Sequence, residues 1–407
     1  MIIDHCPRFV QRFFRPIGQH LSRAQYQHLW TMVLAIAVSA AGSRLSALAA
    51  MIKGGRHRTR LGRFLRSGPW DAAAFLREQA LTILRSMKPR PGETIELLID
   101  DTRVAKRGRQ MACLKKIWDT THQRFVHGHI WVVAAFRFRG VVLPWRIELW
   151  KPKRDAGRRY RKTTEIAAAM IDTLELPWPL KVRVLFDAFY LSRPVVRACE
   201  HRGFLWFSVA ARNRSFKRNG GRRDKLGQLA PGWLKHLGRT VKMARARGVA
   251  TMRIAKVDGH LSRIGPVRLV ASKRPCDRSA KKVVFATNAK MDARSIVSVY
   301  EGRWDIEVMF KQLRSDLGLG DYQMLDEQAI VRHLHLCALA HLLLTRHALD
   351  GMGAQARKAN EKVALPPMSV RRESLRTAIR RAQIHRLVGG RAHRPLRKRL
   401  EPYLMAA

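Results

Sequence analysis

Acidic residues are scarce in this sequence: 407 residues carry 30 Asp and Glu against 79 Lys and Arg, a formal net charge of +49. A GC-rich genome inflates arginine, but it does not by itself deplete the acids so far. Such an excess calls for a polyanionic partner, nucleic acid first, with a ribosomal or membrane-surface protein as the alternative. Cysteine is sparse as well. The five (Cys6, Cys113, Cys199, Cys276, Cys337) show no C-x-x-C spacing, which speaks against structural zinc and for a reducing compartment. Long apolar runs are missing. "LWTMVLAIAVSAAG" stops at Ser43 and Arg44, short of the ~20 residues a bilayer needs, and "LCALAHLLL" is shorter still. Charged residues precede any apolar run, so no signal peptide is expected. No glycine-rich phosphate loop follows a strand, so no nucleotide cofactor is expected. These absences lead to the expectation of a cytoplasmic protein without membrane contact.

Residues 1–92 read as an all-helical, basic, DNA-binding domain. Segment 22–52 has helical spacing, and 59–87 reads as two short helices broken at Ser67-Gly68-Pro69, with Asp71 capping the second. From Glu93 the texture changes. "TIELLIDD", "FVHGHIWVVAAFRF" and "VVLPWRIELW" read as three strands, the last two joined by an Arg139-Gly140 turn. A helix over 158–176, stopped by Pro177 and Pro179, leads to a strand in "KVRVLFDAFY". A short helix ending at Gly203 and a strand in "FLWFSVAARN" follow. Three strands, helix, strand, helix, strand is the order of a ribonuclease H-like α/β fold with a mixed sheet. Its first part would span 93–212, a β-rich basic insertion 213–288, the last core helix 289–325, and a helical, basic C-terminal region 326–407.

The segment "VYEGRWDIEVMFKQLR" (299–314) is expected to be one helix. At about 100° per residue, Tyr300, Arg303, Glu307, Lys311 and Arg314 share a face, with Trp304 beside it. Val299, Ile306, Met309, Phe310 and Leu313 form the stripe that docks on a core. Taken alone, Arg303–Glu307 and Glu307–Lys311 are ordinary i,i+4 pairs. The other acids change that reading. Asp100 and Asp101 are expected to close the first strand, and Asp187 the fourth, its neighbour in such a sheet. Carboxylates on two adjacent strand ends and a facing helix suit two divalent ions about 4 Å apart. Elsewhere, His127 and His129 are expected to be packed or hydrogen-bonded rather than ligands. His333 and His335, two apart on a helix, do not face each other.

At these residues the sequence resembles bacterial insertion-sequence transposases of the DDE type, in the cut-and-paste group with a β-rich insertion before the final Glu. "DDT" (Asp100-Asp101-Thr102) matches the group's acid-Asp-Thr motif, and Asp187 in "LFDAFY" matches its strand-ending Asp. Tyr300, Arg303 and Glu307 match the Tyr-x2-Arg-x3-Glu part of a signature whose Lys position holds Arg314. The resemblance covers about 64–319. It implies Asp101, Asp187 and Glu307 as catalytic metal ligands for two Mg²⁺, or Mn²⁺ in their place, with Asp100 only a neighbour. It also implies that Tyr300, Arg303 and Arg314 contact the DNA backbone.

Lys311 is expected to join those contacts. Trp304 is expected to be partly core, with stacking on a displaced base as its functional reading. The loop "RNRSFKRNGGRRDK", with Arg214, Lys217, Arg218, Arg222 and Arg223, is expected to overhang the site and grip DNA. The expected partners are double-stranded transposon ends and target DNA, held by a homodimer. The expected activity is end binding, end cleavage and joining to the target. A DNA-binding protein that keeps the fold without catalysis is the alternative.

Overall fold

The computed structural model describes residues 2–3, 5–18, 21–52, 58–119, 123–218, 220–245, 248–273, 282–352 and 362–388. Asn219, Cys276 and the Arg-rich tail beyond 388 lie outside them.

The helical start of the chain forms α1 (Arg8–Gly18), α2 (Arg23–Val38), α3 (Leu45–Ala50), α4 (Arg58–Ser67) and α5 (Ala72–Ser86). Ser22 and Gln25 make a reciprocal capping box on α2, and Asp71 caps α5 by accepting the Ala74 N–H at 2.9 Å. Every residue of α2 from Leu29 to Val38 is buried. The apolar run that is too short for a membrane is therefore a core helix, apolar on all sides because it is covered on all sides.

The central layer follows as β1 (Thr94–Lys106), β2 (Lys115–Asp119), β3 (Arg124–Phe138), β4 (Val141–Trp150), α6 (Lys153–Ala156), α7 (Thr163–Asp172), β5 (Lys181–Phe186), α8 (Arg193–His201) and β6 (Leu205–Val209). Arg139 (φ +48°) and Gly140 (φ +82°) turn β3 into β4. Two successive positive φ values are what a tight hairpin requires. Strand β1 runs antiparallel to β3 and parallel to β5, and β5 is parallel to β6. This is the ribonuclease H-like order.

Next come β7 (Ser215–Arg218), β8 (Arg223–Lys225), α9 (Leu226–His236), β9 (Arg239–Arg245), β10 (Gly248–Leu261), β11 (Gly265–Lys273) and β12 (Val283–Thr287). Strand β12 pairs with both β6 and β11, so this segment extends the central layer into one 12-stranded sheet. The chain closes with α10 (Ala293–Glu301), α11 (Trp304–Lys311), a π-helical turn (Gln312–Asp316), α12 (Glu327–Gly351) and α13 (Met368–Val388). Among the described residues no helix is long and apolar enough to cross a membrane.

Three local expectations change. Strand β1 does not end at the acids: its antiparallel ladder with β3 continues to Lys106, while its parallel ladder with β5 stops at Ile99↔Phe186. The helix before β5 is shorter than 158–176, because α6 and a 3-10 turn fill the connection from β4. The helix expected over 299–314 breaks at Gly302-Arg303 and loosens into the π turn. A Cβ at position 302 would lie 2.8 Å from Arg137 Nη1, so glycine is what lets that guanidinium pass under the break.

Buried polar groups tie these layers together. Lys106 Nζ donates to Gly320 O (2.6 Å) and Tyr322 O (2.7 Å). His129 lies between the Tyr322 hydroxyl (2.7 Å) and Ala112 O (2.8 Å), a hydrogen-bonded core histidine as expected.

Candidate active site

The acids gather where β5 leaves β1. Asp187 is the first residue beyond β5, one register step past Ile99↔Phe186, which makes it the cross-strand neighbour of the Asp100-Asp101 pair. Its carboxylate is held by the turn it starts: Oδ1 accepts the N–H groups of Phe189 (3.0 Å) and Tyr190 (3.1 Å). Both aspartates of β1 feel its charge.

Alternation along β1 sends those two aspartates to opposite faces. Asp100 shares its face with Glu96 and Thr102, and the turns flanking α11 supply the partners of Asp100 and Thr102. Arg303 Nη1 donates to Asp100 Oδ2 at 2.9 Å, and the other arm of its fork reaches Glu307. Arg314 Nε donates to Thr102 Oγ1 at 3.1 Å. Arg137 joins Glu96 to Asp305, with its Nε 2.6 Å from Asp305 Oδ2. Asp101 lies on the other face, 3.4 Å from Arg103 Nε; burial, helped by its charge, raises the Tyr190 hydroxyl.

The acid brought to Glu307 through Arg303 is thus Asp100, the residue set aside as a neighbour, and not Asp101. Burial, with Asp187 adding its charge, pushes the Asp100 carboxyl up to about 7 even beside Arg303. Burial also raises Asp101, against the pull of Arg103. Burial therefore disfavours the charged form of both aspartates, and the neighbouring Asp187 adds to the effect.

The remaining candidates fall around this edge. Tyr300 packs its ring against Phe285 (5.3 Å between centroids), and burial pushes its hydroxyl up to about 12. Trp304 is 62% exposed and Lys311 is exposed. Trp304 therefore leaves the core for the rim. Phe189, in the turn after Asp187, is 57% exposed, an aromatic that the string "LFDAFY" contained but that was not singled out.

Of the insertion cations, Lys217 and Arg218 on β7 and Arg222 and Arg223 at β8 are exposed along a hairpin at the far edge of the sheet. Arg214 differs. It is half-buried and donates to Leu191 O, so its fork is committed to anchoring the hairpin root beside the Asp187 turn.

Hard carboxylate oxygens gathered at one strand edge suit a small divalent cation. As placed, no three acid, His or Cys side chains among the described residues are close enough to hold one together. The Arg303 fork stands between Asp100 and Glu307. The donor set fits such an ion in kind and in charge.

Comparison with known proteins agrees with this geometry. The family profile described as DDE superfamily endonuclease matches residues 16–232, more than half of the chain. A second, described as transposase DDE domain, matches 153–343. No curated protein matches the sequence. One similar solved structure is a cryo-EM piggyBac transposase synaptic complex with hairpin DNA, at TM-score 0.45 and 14% identity over 97% of this chain and 80% of that one. That likeness is too weak to argue from. The family match stands on its own length, and the chain belongs to the DDE superfamily of endonucleases, among its transposases.

Proposed function

We propose that the protein binds inverted repeats at the ends of a mobile DNA element, cuts there, and joins the freed ends to target DNA. The observation that carries this reading is the linkage of Asp100 to Glu307 through Arg303, beside Asp187, at the point where the parallel strands part. Asp100, Asp187 and Glu307 are the proposed holders of the divalent ions, two Mg²⁺ with Mn²⁺ as substitute. Asp101, which the family motif singles out, is within Asp187's electrostatic reach from the opposite face. Held by these residues, such ions would supply charge neutralisation at the attacked phosphate and activation of a water or 3′-hydroxyl.

The chain's own residues do the rest. The backbone turn at Asp187 fixes its carboxylate before substrate arrives. The Arg303 fork keeps Asp100 and Glu307 compensated, and with Arg314 and Lys311 it offers positive charge to phosphates at the rim. Trp304 presents an exposed ring on which an unpaired base can stack, beside Tyr300. Lys217, Arg218, Arg222 and Arg223 form a second grip on end DNA, and the N-terminal helices a third. A dimer in the DNA complex would bring two ends together.

The reading that the fold binds DNA without cutting it is disfavoured by the acids themselves, since a binder of a polyanion gains nothing from carboxylates gathered inside a cationic surface. The test is Glu307→Gln, with nicking of the DNA flanking the gene as readout. Nicking should fall by about a thousandfold, with gel-shift affinity within about twofold, because the acids act as one unit. A variant that nicks at near wild-type rate would return Arg303–Glu307 to an ordinary helix ion pair.

A further inference from the structure

The hairpin of β2 and β3 belongs neither to the acid edge nor to the insertion. Past Lys106, where β1 ends, it runs on as a two-stranded ribbon with Trp118 directly opposite Phe125. One face of this ribbon is anchored. Ile117 is buried, and Gly128 leaves room for it, since a Cβ there would lie 2.5 Å from Ile117 Cδ1. On the same side Lys115 Nζ sits over the Trp150 ring at 4.5 Å. The other face is in water. Trp118 is 37% and Phe125 59% exposed, and their rings pack edge to face at 5.0 Å. Lys116 Nζ lies 5.0 Å from the Phe125 centroid. Single exposed apolar side chains need no explanation. Two adjoining rings, on a ribbon already anchored by its opposite face, mark a contact surface.

Register places that surface on the side of the reacting acids. Asp100 pairs with Val133, and Phe125 lies eight residues earlier on β3. An even step keeps the side chain on one face, so Trp118 and Phe125 share the face of Asp100, Thr102 and α11. At the usual rise they lie about 27 Å from Asp100. The segment from Gly320 to Leu325 covers the sheet between them. Lys106 and His129 hold it from below, and Leu325 O accepts the Ala112 N–H at 2.9 Å. Lys115, Lys116 and Arg124 are exposed, against one acid, Asp119, among the ribbon's described residues. A second copy of a chain with a net charge of +49 would bring like charge to this ribbon. Duplex DNA brings phosphates outside and flat apolar faces within. Its major groove admits a two-stranded ribbon, and apolar side chains can enter and unstack its base steps.

We infer that the β2–β3 ribbon wedges Trp118 and Phe125 into a base step of the element's end, about eight base pairs from the cut at 3.4 Å per pair. The inference rests on the proposed function for which DNA is bound, and it adds a deformation that phosphate contacts do not supply. Lys116 and Arg124 would hold the flanking phosphates. Unstacking costs least at pyrimidine–purine steps, so the ribbon would favour an end that carries one at this distance.

The experiment uses the full chain and duplexes from the DNA flanking the gene, with 2-aminopurine at successive positions. Wild-type protein should raise the fluorescence several-fold at one step, about eight base pairs from the nick it makes. Trp118→Ala/Phe125→Ala removes only exposed rings, so the core stays intact. This variant should lose the signal and bind about tenfold more weakly. Its log–log salt slope should match wild type, because no phosphate contact is lost. The ring-preserving Trp118→Phe/Phe125→Tyr should restore signal and affinity. No unstacked step with wild type, or a signal that survives the alanine pair, would overturn the inference. So would a DNA-free dimer that the alanine pair turns into monomer in sedimentation, which would assign the rings to a second copy. A wild-type protein that unstacks the step but never nicks would leave the wedge standing and remove the proposed function.

Discussion

Two regions of this molecule bury charge, and they do so in opposite ways. At the β1–β5 edge, Asp100, Asp101 and Asp187 crowd together, and burial with the charge of Asp187 pushes Asp100 up to about 7. Where α12 and α13 meet the N-terminal helices, buried arginines are satisfied by backbone carbonyls. Arg332 donates to Leu65 O (2.8 Å) and Trp70 O (3.0 Å), closing the α4–α5 turn. Arg376 reaches Val38 O at 2.7 and 3.0 Å, where α2 runs out of intrahelical donors. Arg371 caps Pro366 O at 2.8 Å. The arginine seam has donors matched to acceptors, as a stable interior requires. At the acid edge the guanidiniums of Arg303 and Arg103 pair with carboxylates instead of carbonyls. Part of the +49 is therefore internal mortar and meets no DNA.

The sharpest way to break the comparison is inside the acid edge. Asp100→Asn should reduce nicking by about a thousandfold, and Asp101→Asn by at least tenfold less, because only Asp100 shares a face with Glu307. Single-turnover nicking of the two purified variants decides it. Equal losses, or the reverse order, would put the reacting phosphate on the Tyr190 side of the sheet.

The seam should respond differently. Arg332→Met strands the carbonyls of the α4–α5 turn and should cost about 2–4 kcal/mol of stability by denaturant titration, since a charged donor is lost from buried acceptors. Turnover per folded molecule should be unchanged. If stability holds and nicking falls instead, the contrast between the two regions is wrong.

The smallest expected effect is a pH dependence. The folded Asp100 carboxyl holds its proton more tightly than the unfolded one. Its contribution therefore favours the folded state at low pH, declines as pH rises from the model-peptide value near 3.8 towards about 7, and is flat above. Between pH 6 and 7 this amounts to at most about 1.4 kcal/mol for one proton. Metal-free protein should lose stability across that window, and Asp100→Asn should lose less.

The sequence by itself determined the element order, the cap at Asp71 and the hairpin at Arg139-Gly140, which rest on local spacing that the backbone periods of 2 and 3.6 make readable. The family was legible through the resemblance carried by Asp187, Tyr300, Arg303 and Glu307. Tertiary structure decided which aspartate of β1 is linked to α11, because parity matters only once one face is assigned to that helix. It also decided where β1 ends, because that depends on β3 continuing after β5 stops. Arg214 and Arg332 look in composition like any DNA-binding arginine. Only packing shows which guanidiniums close a carbonyl and which, such as Arg158 and Arg159, remain open, because a donor's partner is fixed by what folds against it and not by its neighbours in the chain.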